Sequence, residues 1–449
     1  MRTTTRRNVL PVLLTGQLMA TMDSSVVTVA LPSIRRTYGA DGATIQLIAS
    51  GYVLTLGVLI VTGARLGDIL GHRRAFLGGL AGFTVASALC AAAPSASVLV
   101  AMRTVQAGAA ALMIPQVFSL IQLEFDGRAR ERAIGLYSMV LGLGVVVGQF
   151  GGGLIAGADF LGLDWRAVFL INVPIGLAAF AAGRGAPAEA TPERSARLDL
   201  TGVLLLTTAM VGMITPLMFG REYGWRPWAW TALSAGVLVL AGFLRHQRRL
   251  AARGGAPLLD PRPLRRTGVG PGLVACSVLA GCYAGLLFSL SLHLQETTGL
   301  DPLRAGLAFV PYAIGFAVMS LAWTRLPPWR HLPAAGTLTF AAVVALLAAC
   351  GGWPGTWSAP LLMIAGAGHA AGYSPLISRL SRLVGPEGTS ALAALNATGP
   401  MLASVTAVAV LGGIHLTWGL PRVETVIAAL LVAGACCGSA AGARDRPRC

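Results

Sequence analysis

One carboxylate, Asp23, stands inside the first long apolar run of the chain, residues 10–32, with no basic residue near it in that run. A carboxylate at bilayer depth costs about 2.5–3.5 kcal/mol on insertion scales, so it is kept to handle an ion or a ligand, or it is neutralised by a partner. A second charge, Arg103, lies inside the fourth run, residues 96–122. A guanidinium is permanently charged and must find a partner at that depth. Two readings stay open. Asp23 takes up and releases a proton while Arg103 sets its surroundings, or the two residues are structural, as a fixed ion pair or as hydrogen-bond donor and acceptor. Gln46, Gln106, Asn172, His369 and Asn396 are further polar groups within apolar runs, and with Tyr283 they are candidates to line a cavity or to join helices. All 34 basic residues are Arg. Without Lys there is no phosphate loop ending Gly-Lys-Ser/Thr and no Schiff-base lysine. The seven cysteines lack metal-site spacing and read as small packing residues. No cofactor or metal is expected.

The elements that must hold these groups are membrane helices. Of the 449 residues 55% are hydrophobic and 12% charged, with mean hydropathy +0.70. A soluble domain carries about 25% charged residues. Fourteen runs are long enough to span, given about 20 residues per crossing: 10–32, 44–64, 75–93, 96–122, 134–157, 167–183, 200–219, 228–244, 268–292, 305–323, 332–350, 359–377, 391–414 and 423–443. With the N-terminus inside, 26 arginines fall on inner loops and termini, seven on outer loops, and Arg103 within a span. That bias predicts both termini in the cytoplasm. The net charge of +16 is spread over short loops and marks topology rather than a nucleic-acid surface. Arg2, Arg6 and Arg7 precede the first run, but the run is too long for a signal peptide and carries Asp23, so a retained helix is expected.

A shift of 260 residues aligns Tyr52 with Tyr312, Arg65-Leu66 with Arg325-Leu326, and Gly108-x-Ala110-Ala111-x-x-x-Pro115 with Gly368-x-Ala370-Ala371-x-x-x-Pro375. The offset spans an even number of runs, which predicts a parallel repeat. The expected fold is an all-α membrane protein of fourteen transmembrane helices. It comprises two six-helix bundles, residues 1–183 and 267–449, and a linker, 184–266, holding two inserted central helices. Asp23 falls opposite Tyr283 and Arg103 opposite Met363, so a proton site is expected in the first bundle.

Six motifs go further. Gly63-Ala-Arg65-Leu-Gly67-Asp68-Ile-Leu-Gly71-His-Arg73-Arg74 resembles the loop between helices 2 and 3 of the major facilitator superfamily. Asp68 is expected to cap the third helix and to pair with arginines. Leu99-x-x-x-Arg103-x-x-Gln106-x-Gly108 resembles the family's fourth-helix signature. Gly135-x8-Gly144-x3-Gly148-Gln149-x-x-Gly152-Gly153 resembles the fifth-helix signature of its exporters, with Gln149 in place of the usual Pro. The first run, with Asp23-Ser-Ser-Val-Val and Ala30-Leu31-Pro32, resembles that of the fourteen-helix drug:proton antiporters, as do Asp164-Trp-Arg166-x-x-Phe-x-Ile-Asn172-Val-Pro174 and Asp301-Pro302-Leu303-x-Ala305-Gly306.

The resemblance implies a cytoplasmic latch at the first motif, coupling through Asp23 and Arg103, and helix packing through the glycines of the third. It also implies proton-driven export of drugs or amphipathic natural products by alternating access, with protons, a small molecule and the lipid bilayer as partners, in a monomer of a bacterial cell membrane. The alternative is a proton-coupled symporter importing a small polar solute. An enzyme is not expected, since no nucleophile, metal cluster or phosphate loop is present in the sequence.

Overall fold

The structure, a computed structural model, describes residues 2–157, 163–184, 198–220, 224–260, 262, 266–300, 302–326, 331–351, 355–385 and 388–440. Helices account for nearly all of them, and no strand occurs among the described residues. A chain that leaves water must satisfy its backbone internally, which helices do segment by segment.

In order they are α1 (Arg2–Tyr38), α2 (Gly42–Leu70), α3 (His72–Ala91), α4 (Ala96–Glu124) and α5 (Gly127–Gly157). After a 3-10 turn, Asp164–Arg166, come α6 (Ala167–Leu170), α7 (Asn172–Arg184), α8 (Leu200–Phe219) and α9 (Pro227–Ala252). Then follow α10 (Val269–Glu296), α11 (Pro302–Leu307), α12 (Val310–Ala322), α13 (Leu332–Ala349), α14 (Ser358–Val384), α15 (Thr389–Trp418) and α16 (Leu420–Ala440). Local chemistry sets several starts. Asp41 accepts the Thr44 N–H at 2.9 Å before α2, and Ser95 accepts that of Val98 at 3.3 Å before α4.

Three predicted spans depart from a regular helix shortly before a proline: one bends, and in two the helix hydrogen bonding lapses for a residue or two within one crossing. The arms of α1, Val9–Val27 and Ala30–Tyr38, meet at 58°, and Pro32 lies in the first turn of the second arm. The run 167–183 divides where α6 ends at Leu170, four residues before Pro174. The run 305–323 divides where α11 ends at Leu307, four residues before Pro311. Proline lacks the N–H that would bond that carbonyl, and its ring crowds it. Pro115, Pro216, Pro375 and Pro400 sit inside continuous helices, so proline alone does not end a span.

Among the described residues twelve stretches are long and apolar enough to cross a membrane, and the two arms of α1 make a thirteenth. The expected fourteenth, 359–377, lies in α14. That helix is 27 residues long, but it carries His369, Ser374, Ser378, Arg379, Ser381 and Arg382 and is the less apolar for them. The start of the linker, residues 185–191, lies outside the described residues.

The chain divides into two compact units. One holds 1–125, 144–216 and 227–260; the other holds 126–143, 217–226 and 261–449. In the first, α4 packs on α2 and α3, while α7 packs on α3 and α1. A cluster including Val26, Ile34, Ile48, Leu99, Trp165 and Phe169 forms part of its core. In the second, α14 packs on α12 and α13, α15 on α10, and α16 on α13 and α10. Pairs 260 residues apart thus pack alike: α2 and α3 on α4, α12 and α13 on α14.

Candidate functional site

Asp23 is fully buried on α1. The neighbouring hydroxyls turn back on their own helix, Ser24 onto the Thr21 carbonyl at 2.8 Å and Ser25 onto that of Met22 at 3.0 Å. The Asp23 carboxylate reaches other helices instead. Arg103 on α4 donates through Nη1 to Asp23 Oδ2 and, at 2.6 Å, to Gln106 Oε1. Gln106 Nε2 donates to Asp23 Oδ1 at 3.0 Å and to Ser87 Oγ of α3 at 2.8 Å. Asn172, first residue of α7 at the break, donates Nδ2 to Asp23 Oδ1 at 3.0 Å. The Arg103 guanidinium also lies over the Tyr52 ring of α2, 4.2 Å from its centroid. Asp23, Ser87, Arg103, Gln106 and Asn172 are all at most 1% exposed.

The cluster suits two protonation states. With Asp23 ionised, it is a buried ion pair backed by two amide donors, the arrangement that can repay desolvation. Three atoms around it have no partner among the described residues: Arg103 Nε, Asn172 Oδ1 and Tyr52 Oη. If a proton adds to Asp23, the acid needs an acceptor, and rotation of the Asn172 amide supplies Oδ1. Arg103 keeps the Gln106 carbonyl and the Tyr52 face. The buried patch then changes from neutral to a net positive charge.

The latch motif folds as the junction of α2 and α3. Gly71 takes φ +90°, a backbone that favours glycine, and ends one helix while starting the next. A Cβ on Gly63 would lie 2.0 Å from the Ala111 carbonyl oxygen, and one on Gly67 would lie 2.1 Å from Gln116 Oε1. Gln116 on α4 locks this approach, donating to the Gly63 carbonyl at 2.8 Å and lying 2.8 Å from His72 Nδ1. The expectation that Asp68 caps α3 is corrected: Gly71 is the cap residue and no side chain bonds there. Asp68 is still within α2, because that helix continues through Leu70, and it pairs with Arg65 at 3.0 Å. Arg73 donates to the Gly183 carbonyl at 2.6 Å, tying α3 to the end of α7, while Arg74 is exposed.

On α5 the glycines face neighbours closely. A Cβ at Gly144 would come within 2.8 Å of Thr21 Cβ, and one at Gly148 within 2.2 Å of Ser25 Oγ and 2.5 Å of the Met22 carbonyl oxygen. These positions hold α5 against the turn of α1 that carries Asp23. Gly135 plays the same part against the Ser320 carbonyl oxygen at 2.3 Å. The backbone of Gln149, Gly152 and Gly153 is helical, and their side-chain surroundings lie outside the described residues.

In the second unit, Tyr283 of α10 stacks on Tyr312 at 5.0 Å between centroids. Tyr312 Oη lies 2.6 Å from His369 Nδ1, and His369 stacks on Phe340 at 5.5 Å. Asn396 donates to Tyr373 Oη at 3.1 Å beside them. Tyr283 is half-buried and the other rings are buried. Where the first unit puts Arg103 over Tyr52, the corresponding helices here meet backbone to backbone. A Cβ on Gly366 would lie 2.0 Å from the Tyr312 carbonyl oxygen, and one on Gly315 1.9 Å from that of Met363. Gln46, half-buried near the start of α2, belongs to neither group.

The structure thus brings Asp23, Arg103 and Gln106 together, and separately Tyr283 and His369. The sequence reading did not assign Ser87, Tyr52 and Gln116 to these sites, and it had Asn172 only as a polar residue at depth. The signals were faint: Asn172 two residues before a proline, Tyr52 repeated at Tyr312, and Gln116 beside the repeated Pro115.

The Major Facilitator Superfamily model matches residues 13–408. The probable actinorhodin transporter of Streptomyces coelicolor is 39% identical over 69% of this chain and 54% of its own, so the chain spans about half of that relative's length. The cephamycin export protein CmcT of Amycolatopsis lactamdurans is 33% identical over 88% of this chain and 82% of its own. Among solved structures, the human organic anion transporter MFSD10 superposes with a TM-score of 0.69 at 15% identity, covering 96% of this chain and 99% of that one. The last likeness concerns fold alone, and it agrees with the helical architecture above. The family match extends over most of the chain, from the helix of Asp23 into α15: the chain belongs to the Major Facilitator Superfamily, whose members are transporters rather than enzymes.

Proposed function

We propose that this chain exports natural products or drugs across a bacterial cell membrane in exchange for protons, through fourteen spans with both termini in the cytoplasm. The buried Asp23–Arg103–Gln106–Asn172 cluster carries this reading, because it is a titratable group whose surroundings can satisfy it with and without a proton. Asp23 loads a proton when the cluster is open to the outside and releases it when open to the inside. Substrate binds in the opposite phase. One charge moving down 100 mV releases about 2.3 kcal/mol, enough for about 50-fold accumulation if coupling is tight. The α2–α3 junction, with Arg65, Asp68, His72 and Gln116, is the conformational latch. The fifteenth and sixteenth helices count as the last two spans, and α8 and α9 are the inserted pair between residues 184 and 266. Support for export over import comes from the exporter-type glycines of α5 and from relatives whose names record antibiotic export. The half-buried ring of Tyr283, backed by the buried Tyr312 ring stacked on it, offers an aromatic face that suits amphipathic ring-bearing molecules.

Expression in a drug-sensitive host tests the reading. With a panel of ring-bearing antibiotics, resistance rises and cell-associated compound falls, and both effects vanish with an uncoupler or with Asp23→Asn. Uptake of the compound instead would favour the symporter.

A further inference from the structure

Helix α16 buries an acid that nothing neutralises. Glu424 lies on the face of Val423, Ile427 and Leu431 and has no exposed surface. Neither carboxyl oxygen has a hydrogen-bond partner among the described residues. The same face meets α10 and α13. Cys282 Sγ of α10 is 3.9 Å from the Ile427 carbonyl oxygen, and a Cβ on Gly434 would lie 3.0 Å from Val278 Cγ1. These contacts run antiparallel, and their register puts Ser289 at the level of Glu424. The Ser289 hydroxyl is likewise buried and without a partner.

The charged and titratable groups of the surrounding helices do not pair with it. Between Leu332 and Ala349, α13 has none. On α10, Cys282 lies deeper, while His293 and Glu296 lie one and two turns beyond Ser289, toward the C-terminal end of the helix, and neither bonds the Glu424 carboxyl. On α15, His415 packs edge-on to His293 at 6.3 Å and leaves its own Nδ1 without a partner. On α16 itself Arg422 is exposed. Asp23, equally buried, has three side chains donating to it; Glu424 has none. An ionised Glu424 would be an uncompensated charge in an apolar site, the case in which a group takes its neutral form instead.

We propose that Glu424 is a proton-binding site in the second unit, occupied in this conformation. The acid form is reached by adding one proton from water to a carboxylate oxygen, and the same O–H bond breaks when the proton leaves. Glu424 lies about one turn from the Gly419 corner that joins α15 to α16. The site goes beyond the role given to Asp23 and does not depend on it.

The test is infrared spectroscopy of the full-length protein in lipid at pH 7, with no substrate added. The carbonyl band of a protonated carboxylic acid is expected in the wild type, lost in Glu424→Gln and kept in Asp23→Asn. A band that Glu424→Gln leaves unchanged overturns the proposal. So does a Glu424 carboxylate band that shifts on adding sodium ions, which would make this a metal-cation site. If Glu424→Gln does not fold, the wild type is treated with dicyclohexylcarbodiimide, which attacks protonated buried carboxyls. The adduct is then located by mass spectrometry. Modification of Glu424 at pH 7 that is lost at alkaline pH agrees with the proposal; an unmodified Glu424 overturns it. Failure of proton-coupled export with the band intact would count against the Asp23 reading alone.

Discussion

Asp23 and Arg103 are informative because each makes the other tolerable. Removing one partner of a buried pair strands the other and costs about 3–5 kcal/mol, whereas replacing both with neutral groups costs far less. Asp23→Ala and Arg103→Ala should therefore each lower the thermal midpoint in detergent sharply, and Asp23→Asn with Arg103→Gln should recover most of the loss. Equal losses that simply add would mean the two side chains do not interact. Arg103→Lys should not restore the wild type, because an ammonium lacks the planar group that lies over Tyr52 while bonding Asp23 and Gln106. The charges were legible in the sequence since few residues of their kind sit in apolar runs. Their neutral partners were not. Ser87 and Asn172 look like any polar residue at depth until tertiary packing says which helix they face. Asp68 shows the converse, a motif residue whose local role was misread because α2 runs two residues past it before Gly71 breaks the helix.

At the scale of elements, glycine spacing does what side chains do elsewhere. Gly148→Val should force α5 off α1, since a Cβ alone would overlap Ser25 Oγ at 2.2 Å, and the strain should cost about 1–3 kcal/mol or more. Gly151→Ala faces open space on the same helix and should be nearly neutral. Comparing folded yield and thermal midpoint of the two separates packing from helix propensity. The pair α8 and α9 carries a pH signature of its own. Asp199 accepts the Gly202 N–H at 2.8 Å and Gln247 Nε2 at 2.8 Å, and His246 Nε2 lies 3.1 Å from both its oxygens. Burial pushes this carboxyl up, but the bonds from Gly202, Gln247 and His246 outweigh it and hold the group below its usual value. A depressed acid stabilises the fold above the ordinary Asp range, about 3.9, and loses that contribution as pH falls through the folded value. Asp199→Asn keeps an oxygen for the Gly202 N–H but loses the charge that the Gln247 and His246 contacts rest on, so it should be less stable than wild type near neutrality by about 1 kcal/mol. Melting curves should begin to converge below about pH 4 and meet once pH has fallen through the folded value; a gap of undiminished size in strong acid would assign the loss to packing. Span positions were readable from apolar runs. The bend at residues 28–29 and the lapses at 171 and 308–309 follow a readable rule, a proline three or four residues on, yet Pro115 and Pro375 obey the same chemistry within uninterrupted helices. Neighbouring helices decide that outcome, and a single run of sequence does not carry them.

Across the whole molecule, a duplication has been kept in its packing and altered in its chemistry. Helices 260 residues apart pack alike, while the crossing filled by Arg103 and Tyr52 in one unit is closed by Gly315 and Gly366 in the other. The repeat was visible in the sequence through Tyr52 and Tyr312 and through the two proline patterns. The aromatic group around His369 was not, because its members are spread over α10, α12, α13 and α14. The central claim is that a proton on Asp23 is exchanged for substrate. It is tested most directly in proteoliposomes of the purified full-length chain, with an imposed proton gradient and a fluorescent ring-bearing antibiotic. The account predicts that substrate moves against the proton flux, that a protonophore stops it, and that Asp23→Asn protein, shown to be folded in the liposomes, neither moves substrate uphill nor passes protons in response to it. Uphill movement that continues undiminished in Asp23→Asn, or with the gradient collapsed, would contradict it.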